Sequence, residues 1–504
     1  MSFVGASGLL VAGTSSDAGK SLVVTGLCRA LVRRGVDVAP YKAQNMSNNS
    51  GVCADGAEIG RAQLLQAAAA RVEPTSAMNP VLLKPGTDRR AHVVVRGRPA
   101  GVLEAGQYAT GRRHLAEAAW AAYAELEAAH DLVVCEGAGS PAEINLRSGD
   151  YVNLGLARRF GLPAVVVGDI DRGGVLASLY GTVALLEPED RALVRTFVIN
   201  KFRGDPSVLA PGLDEITRRT GVPFAGVLPW LDGVWLDAED TLEVGAWRRS
   251  AGTGAGLLRV AVVRLPRVSN ATDVEALAAE PGVEVRVTTD PDVVAGADLA
   301  VLPGTRATFS DLAWLRRTGL AGAVLDRAAR GAPVLGICGG YQMLGARVED
   351  PEGIESEAAA PATVDGLGVL PVVTRFAAEK TLGRPTGAWH GHPVQAYEIH
   401  HGRAERVTGD ADAFLDGWTA GAVWGTVWHG ALENDAFRRA WLAEVATASG
   451  SSWVAVPGAA AFGARREAMV DALADAVEEH LDLDLLLAGT RVTLPVGTVQ
   501  GVGR

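Results

Sequence analysis

The sequence predicts an α/β protein built from two parallel-sheet domains, and three observations carry that expectation. Short, continuous apolar runs recur in the first half ("GLLVAG", "DLVVCEG", "PAVVVGD", "RTFVINK"), each followed by a longer helical pattern. Runs that are apolar throughout mark parallel strands covered on both faces. A Gly-rich stretch without apolar periodicity, "VGAWRRSAGTGAG", interrupts the series, and a second one follows with "LLRVAVVRL", "DLAVLPG", "APVLGICGG" and "GAVWGTVWHG". At 504 residues the chain also exceeds what a single core organises.

The elements follow in order. "GLLVAG" is a strand that ends on a Gly-rich turn, and "SLVVTGLCRALVRRG" is the helix after it. Val23, Leu27 and Leu31 fall at helical spacing and Gly35 suits the position just past the helix end. The expected boundaries are residues 1–243 for the first domain, 244–257 for a linker, 258–484 for the second domain and 485–504 for a tail. Residues 464–482 read as an amphipathic terminal helix within that second series.

Composition excludes several classes. Apolar residues make up 48% and charged residues 21%, which is ordinary for a soluble globular chain. A net charge of −11 argues against a nucleic-acid partner, because a phosphate backbone recruits Lys and Arg. No apolar run is long enough for a membrane span. The first residues lack the basic segment of a secretory signal. The four cysteines, Cys28, Cys53, Cys135 and Cys338, form no metal-type pairs and no disulfide framework, which fits a reducing cytoplasm.

Residues 13–21, "GTSSDAGKS", have the makings of a phosphate-binding loop. Glycines let successive backbone N–H groups face an anion, a Lys reaches the β- and γ-phosphates, and a hydroxyl serves Mg²⁺, all at the start of a helix. Gly13, Thr14, Asp17, Ala18, Gly19, Lys20 and Ser21 are therefore the expected nucleotide contacts. Five residues rather than four separate Gly13 from Gly19, a departure from the common spacing. Mg²⁺ with a bound nucleotide also takes one or two carboxylates. Glu136, at the carboxyl end of "DLVVC", and Asp55, in "ADGAEIG", are the candidates beside Ser21; Asp169 and Asp171 are weaker ones. Asn200, at the end of "FVIN", offers an amide for an adenine edge or simply forms a turn.

The second half carries "LGICGGYQMLG". Cys338 sits between glycines after an apolar run, the pattern of a strand-to-helix elbow that exposes a nucleophile. Gly339 would turn its N–H toward an oxyanion, and the N–H groups near Gly304 in "LPGTR" would complete the hole. The thiol needs a base, and His429 in "WGTVWHG" is the best placed of nine histidines.

Together, "GTSSDAGKS", "YKAQNMSNNS", "ADGAEIGRAQ", "MNPVLLKP", "EGAGSPAEINL" and "VINKFRGD" resemble the cobyric acid synthases, glutamine-dependent amidases of cobalamin synthesis. The resemblance spans roughly residues 7–482. It implies an N-terminal P-loop NTPase like dethiobiotin synthetase, whose family shares the lengthened loop, and a C-terminal flavodoxin-like class I glutamine amidotransferase. It implies ATP and Mg²⁺ as cofactors, and glutamine and adenosylcobyrinic acid a,c-diamide as substrates. ATP would turn the b, d, e and g carboxylates into acyl phosphates, and ammonia freed at Cys338 would travel through the protein to displace phosphate. By the same analogy, Lys42 would stand between the γ-phosphate and the substrate carboxylate. Gln44, Asn45, Ser47, Asn48, Asn49, Ser140, Glu143 and Asn145 would meet the amide and acid arms of the corrin, although loop chemistry alone equally fits Asx turns. Tyr397 and His400, in "YEIHHG", would lie near the glutamine, with a structural role for His400 equally open.

Many class I domains place a Glu two residues after the catalytic His. Here that position is Ala431, which leaves the third member of the set open, with Glu433 a candidate to orient His429. Cobyrinic acid a,c-diamide synthase, an isoglutaminyl-forming amidase and a non-catalytic nucleotide switch remain as alternatives. An intact Cys338 and His429 speak against the switch.

Overall fold

The computed structural model describes residues 5–87, 90–104, 113–234, 256–355, 360–407 and 409–494. The expected linker at 244–257 falls almost entirely outside them, as does the tail beyond 494. The chain forms two compact units. One comprises residues 1–46, 59–236 and 466–504; the other comprises 47–58 and 237–465. Twelve residues of the N-terminal half therefore belong to the second unit, and the chain's last segment returns to the first.

The first unit is built on six strands: β1 (Gly8–Gly13), β2 (Val38–Tyr41), β3 (Leu132–Glu136), β4 (Ala164–Asp169), β5 (Val194–Phe202) and β6 (Phe224–Pro229). Their order is β6-β5-β4-β1-β3-β2, all parallel. Side chains alternate across the pleat, so both faces are apolar. Leu10, Ala12, Val133, Val166 and Phe197 enter the core on one side. Leu9, Val11, Val134, Val165, Val167 and Val198 enter it on the other. This alternation explains why each strand reads as an unbroken apolar run.

Helix α1 (Lys20–Arg33) follows β1, and the terminal helix α2 (Phe462–His480) packs over it. Met469, Val470, Ala474 and Val477 share a core with Val23, Val24, Leu27 and Leu31. Gly26 permits the approach, since a Cβ there would stand 2.7 Å from the Leu473 carbonyl. The fully buried Arg29 holds the pair together, with Nη1 2.7 Å from Asp471 and Nη2 2.9 Å from Glu467. Arg29 Nε also donates to the Ala69 carbonyl at 2.9 Å.

The second unit has a seven-stranded sheet. Its strands are β7 (Leu258–Val263), β8 (Val283–Thr288), β9 (Leu299–Leu302), β10 (Val334–Ile337), β11 (Asp412–Phe414), β12 (Gly417–Ala420) and β13 (Val423–Thr426). The order is β8-β7-β9-β10-β13-β12-β11, parallel as far as β13 and antiparallel after it. The five parallel strands have the 2-1-3-4-5 arrangement of flavodoxin-like folds, which places binding loops at their carboxyl ends. Residues 47–58 form a small hairpin against this unit. Ser50 N–H donates to Asn270 Oδ1 at 2.9 Å, Ala271 N–H donates to Asn49 Oδ1 at 3.2 Å, and Val52 packs with Tyr397 and Ile399. Among the described residues no helix is long and apolar enough to cross a membrane.

Candidate active sites

In the first unit, β1 and β3 are neighbours whose onward connections run to opposite sides of the sheet, so a crevice opens at their carboxyl ends. The loop from Gly13 to Gly19 fills one side of it. Thr14 N–H donates to the Val167 carbonyl at 2.9 Å, which extends β1 toward the turn. Asp17 and Gly19 take positive φ of 57° and 95°, the conformation that curls the backbone before α1. Ala18 is fully buried, and its carbonyl accepts from Asn200 Nδ2 at 3.0 Å. A Cβ on Gly19 would stand 1.9 Å from that same Nδ2. Asn200, read in the sequence as a base reader or a turn residue, thus braces the loop from below.

Lys20 is buried, with Nζ 2.8 Å from the Ser15 carbonyl and 3.3 Å from that of Gly139. The buried Glu136 ends β3 and gathers three donors. Ser21 Oγ lies 2.8 Å away, Lys42 Nζ 2.9 Å and Gln66 Nε2 2.5 Å. Burial alone would raise the Glu136 pKa, but the charge of Lys42 and the hydrogen bonds from Lys42, Gln66 and Ser21 outweigh it and hold the group below its usual value. A negative carboxylate is therefore fixed beside the Ser21 hydroxyl. Two oxygen ligands of this kind suit Mg²⁺, which keeps most of its own water. The other expected ligand, Asp55, is exposed at the tip of the hairpin in the second unit, where Oδ1 accepts from Ala57 N–H at 3.0 Å.

Beside the loop lies a cavity of about 290 Å³ lined by Ser16, Gln44, Ser140, Glu143, Arg147 and Asn153, among others. Gln44 Oε1 accepts from Tyr151 Oη at 2.5 Å, and Glu143 Oε1 accepts from Ser140 N–H at 3.4 Å. Asn45 is buried and donates to Gln63 Oε1 at 3.0 Å. Asn145 is exposed on a 3₁₀ turn. Ser47, Asn48 and Asn49 belong to the second unit. There Ser47 Oγ accepts from Asn49 N–H at 3.0 Å, and Asn48 Oδ1 is buried without a partner among the described residues. Asn153 was not foreseen. Its Nδ2 donates to the Ala138 carbonyl at 2.7 Å, while its Oδ1 is buried and unpartnered among the described residues.

In the second unit, β10 delivers Cys338 to the start of a short helix, α3 (Gly339–Leu344). Cys338 has φ 50° and ψ −110°, the strained turn that an elbow requires. Its small neighbours are a geometric necessity, because a Cβ on Gly340 would stand 2.0 Å from the Leu302 carbonyl. A Cβ on Gly339 would stand 2.6 Å from Thr305 Cγ2, so the loop after β9 presses against the elbow. Gly304 lies in that loop beside the base, where a Cβ would stand 3.1 Å from His429 Cε1.

His429 follows β13 and is buried, close enough to Cys338 for the sulfur to act on its charge. Its Nδ1 lies 2.7 Å from Asp273 Oδ2, and Gly430 N–H donates to Asp273 Oδ1 at 2.9 Å. Burial lowers the His429 pKa, but Asp273 and the Cys338 sulfur together raise it to about 10. The acid bonded to His429 is thus Asp273, in the 3₁₀ turn Ala271–Val274, and not Glu433. Tyr397 stacks on the His429 ring, with centroids 5.3 Å apart, and exchanges two backbone hydrogen bonds with it. His400 Nδ1 faces the Gly402 carbonyl at 2.8 Å within its own strand.

A Cys–His–Asp set in a flavodoxin-like unit and a phosphate loop in a separate unit can also be compared with known chains. Residues 9–244 match the CobQ/CobB/MinD/ParA nucleotide-binding domain, and residues 259–437 match the CobB/CobQ-like glutamine amidotransferase domain. A cobyric acid synthase from Cutibacterium acnes is 65% identical over 95% of this chain and 99% of its own length. The chain belongs to the cobyric acid synthase family. Members from Mycolicibacterium gilvum and Mycobacterium tuberculosis are 59% and 58% identical, each over 95% of this chain and 96% of their own.

Proposed function

We propose that this chain amidates the b, d, e and g carboxylates of adenosylcobyrinic acid a,c-diamide, with nitrogen taken from glutamine and activation from ATP. The observation that carries it is the coexistence on one chain of the Cys338–His429–Asp273 set with the Lys20–Lys42–Glu136 phosphate site.

In the glutaminase, the Cys338 thiolate attacks the side-chain amide carbon of glutamine. The oxyanion meets N–H groups of Gly339 and the loop at Gly304. The C–N bond breaks as His429 gives its proton to the leaving ammonia, and Asp273 keeps the imidazole oriented throughout. Water then cleaves the thioester to glutamate and restores the thiol.

In the synthetase, a corrin carboxylate attacks the γ-phosphorus of ATP and ADP departs, leaving an acyl phosphate. Ammonia then adds to that carbonyl carbon and expels phosphate. The protein has mainly to align the reactants and offset charge. Lys20 does this at the β- and γ-phosphates, and Lys42 does it between phosphate and carboxylate. Ser21 and Glu136 would hold Mg²⁺, which neutralises phosphate charge when bound. A cavity of about 290 Å³ takes one arm and the rim of a macrocycle rather than the whole ring. Such a pocket suits four rounds on differently placed arms, with Gln44, Ser140 and Glu143 as adaptable polar contacts.

Mass spectrometry of the products from the a,c-diamide with MgATP and glutamine tests this reading. Four added amides are expected; two would point to the a,c-diamide synthase activity, and none would refute both. Cys338→Ala should lose glutamine-driven amidation while added ammonia still supports the reaction, and Lys20→Ala should lose both.

A further inference from the structure

We propose that Arg306 is the anchor for the α-carboxylate of glutamine, an inference that rests on the glutaminase reading above. Arg306 sits on the loop after β9 that presses against the nucleophile's elbow. A Cβ on Gly339 would stand 3.1 Å from the Thr305 nitrogen, one residue from Arg306. The loop is pinned. Arg306 N–H donates to the Arg267 carbonyl at 3.0 Å, Thr305 Oγ1 donates to Asp311 Oδ2 at 2.5 Å, and Ala307 N–H donates to Thr305 Oγ1 at 3.0 Å.

The groups around it leave its buried Nε without an acceptor among the described residues. Nearby Lys380, which lies within the fields of both Arg306 and Cys338, is ion-paired to the buried Glu58. His401, also close, is held neutral by burial, its pKa pushed down to about 4. Glu355 receives the Thr308 N–H and lies within the field of Arg306. Arg306 is half-buried, and its planar fork matches a carboxylate. Of the groups on glutamine, the amide goes to Cys338 and the α-carboxylate is the anion that completes this site.

The test compares glutamine with 4-aminobutanamide, which keeps the amide and lacks the carboxylate. In Arg306→Gln, the ratio of the two kcat/KM values should fall about 10- to 100-fold, the value of a charge-assisted hydrogen bond. An unchanged ratio would overturn the proposal. A second measurement needs no turnover. The glutamine analogue 6-diazo-5-oxo-L-norleucine carries the carboxylate and alkylates Cys338, whereas iodoacetamide alkylates it without one. Arg306→Gln should slow labelling by the first relative to the second by a similar factor, and an equal effect on both would reduce Arg306 to a structural residue. Wild-type protein that released no glutamate from glutamine would instead sink the glutaminase reading beneath the proposal.

Discussion

At the scale of single residues, Asp273 has the largest predicted effect. It fixes the His429 tautomer and, with Cys338, keeps the imidazolium charged up to a pH of about 10. Asp273→Asn should lower glutaminase kcat by about 10³- to 10⁴-fold, as loss of an orienting acid does in a triad. It should also move the alkaline limb of the pH–rate profile to lower pH, which stopped assays across pH 6–11 would show. The same raised pKa affects stability. Its contribution is complete below the unfolded His value of about 6.5 and is lost as pH rises through about 10. Gly340→Ala should abolish glutaminase as well, since the added methyl meets the Leu302 carbonyl rather than a movable side chain. Cys338, His429 and Lys20 were legible in the sequence because their neighbours repeat known local geometry. Asp273 was not, because it stands 156 residues from His429 and a Ser/Asn-rich turn betrays no motif. Its one signal was position, an acid in the connection that follows an apolar strand. Asp55 lies in the hairpin turn, where its carboxylate accepts from Ala57 N–H.

At the scale of elements, periodicity revealed the strands and the terminal helix but not which sheet each would cover. Amphipathicity states that a helix has an apolar face and is silent about its partner. Here α2 buries Met469, Val470 and Val477 with the apolar face of α1. Met469→Asp should therefore destabilise the nucleotide-binding unit, by about 3 kcal/mol for an unpaired buried charge. Urea melts with and without ATP would report the loss, and a melt unaffected in the nucleotide-responsive transition would refute the assignment. The hairpin at residues 47–58 was hidden for a different reason. Its amides read as ligand contacts, and Asn49 and Ser50 also bond the Asn270–Ala271 turn that leads into Asp273. Asn49→Ala should accordingly impair glutamine hydrolysis more than ammonia-driven amidation, measured side by side.

At the scale of the whole chain, the two units exchange segments at 46/47, 58/59, 236/237 and 465/466. A gene cut in the Gly-rich stretch at 244–257 should thus yield no stable half. The N-terminal piece would lack α2, and the C-terminal piece would lack the hairpin that supports Asp273. Co-expression of the two pieces should restore soluble protein, as size-exclusion chromatography would show; an independently soluble, ATP-binding N-terminal piece would contradict this.

The placement of α2 also bears on synthesis. Residues 466–494 leave the ribosome after every other described part of the chain, so the flank of α1 stays uncovered while the second unit is being made. The nucleotide-binding unit therefore matures last although it is begun first, and the nascent protein carries a sticky apolar stripe for most of its translation.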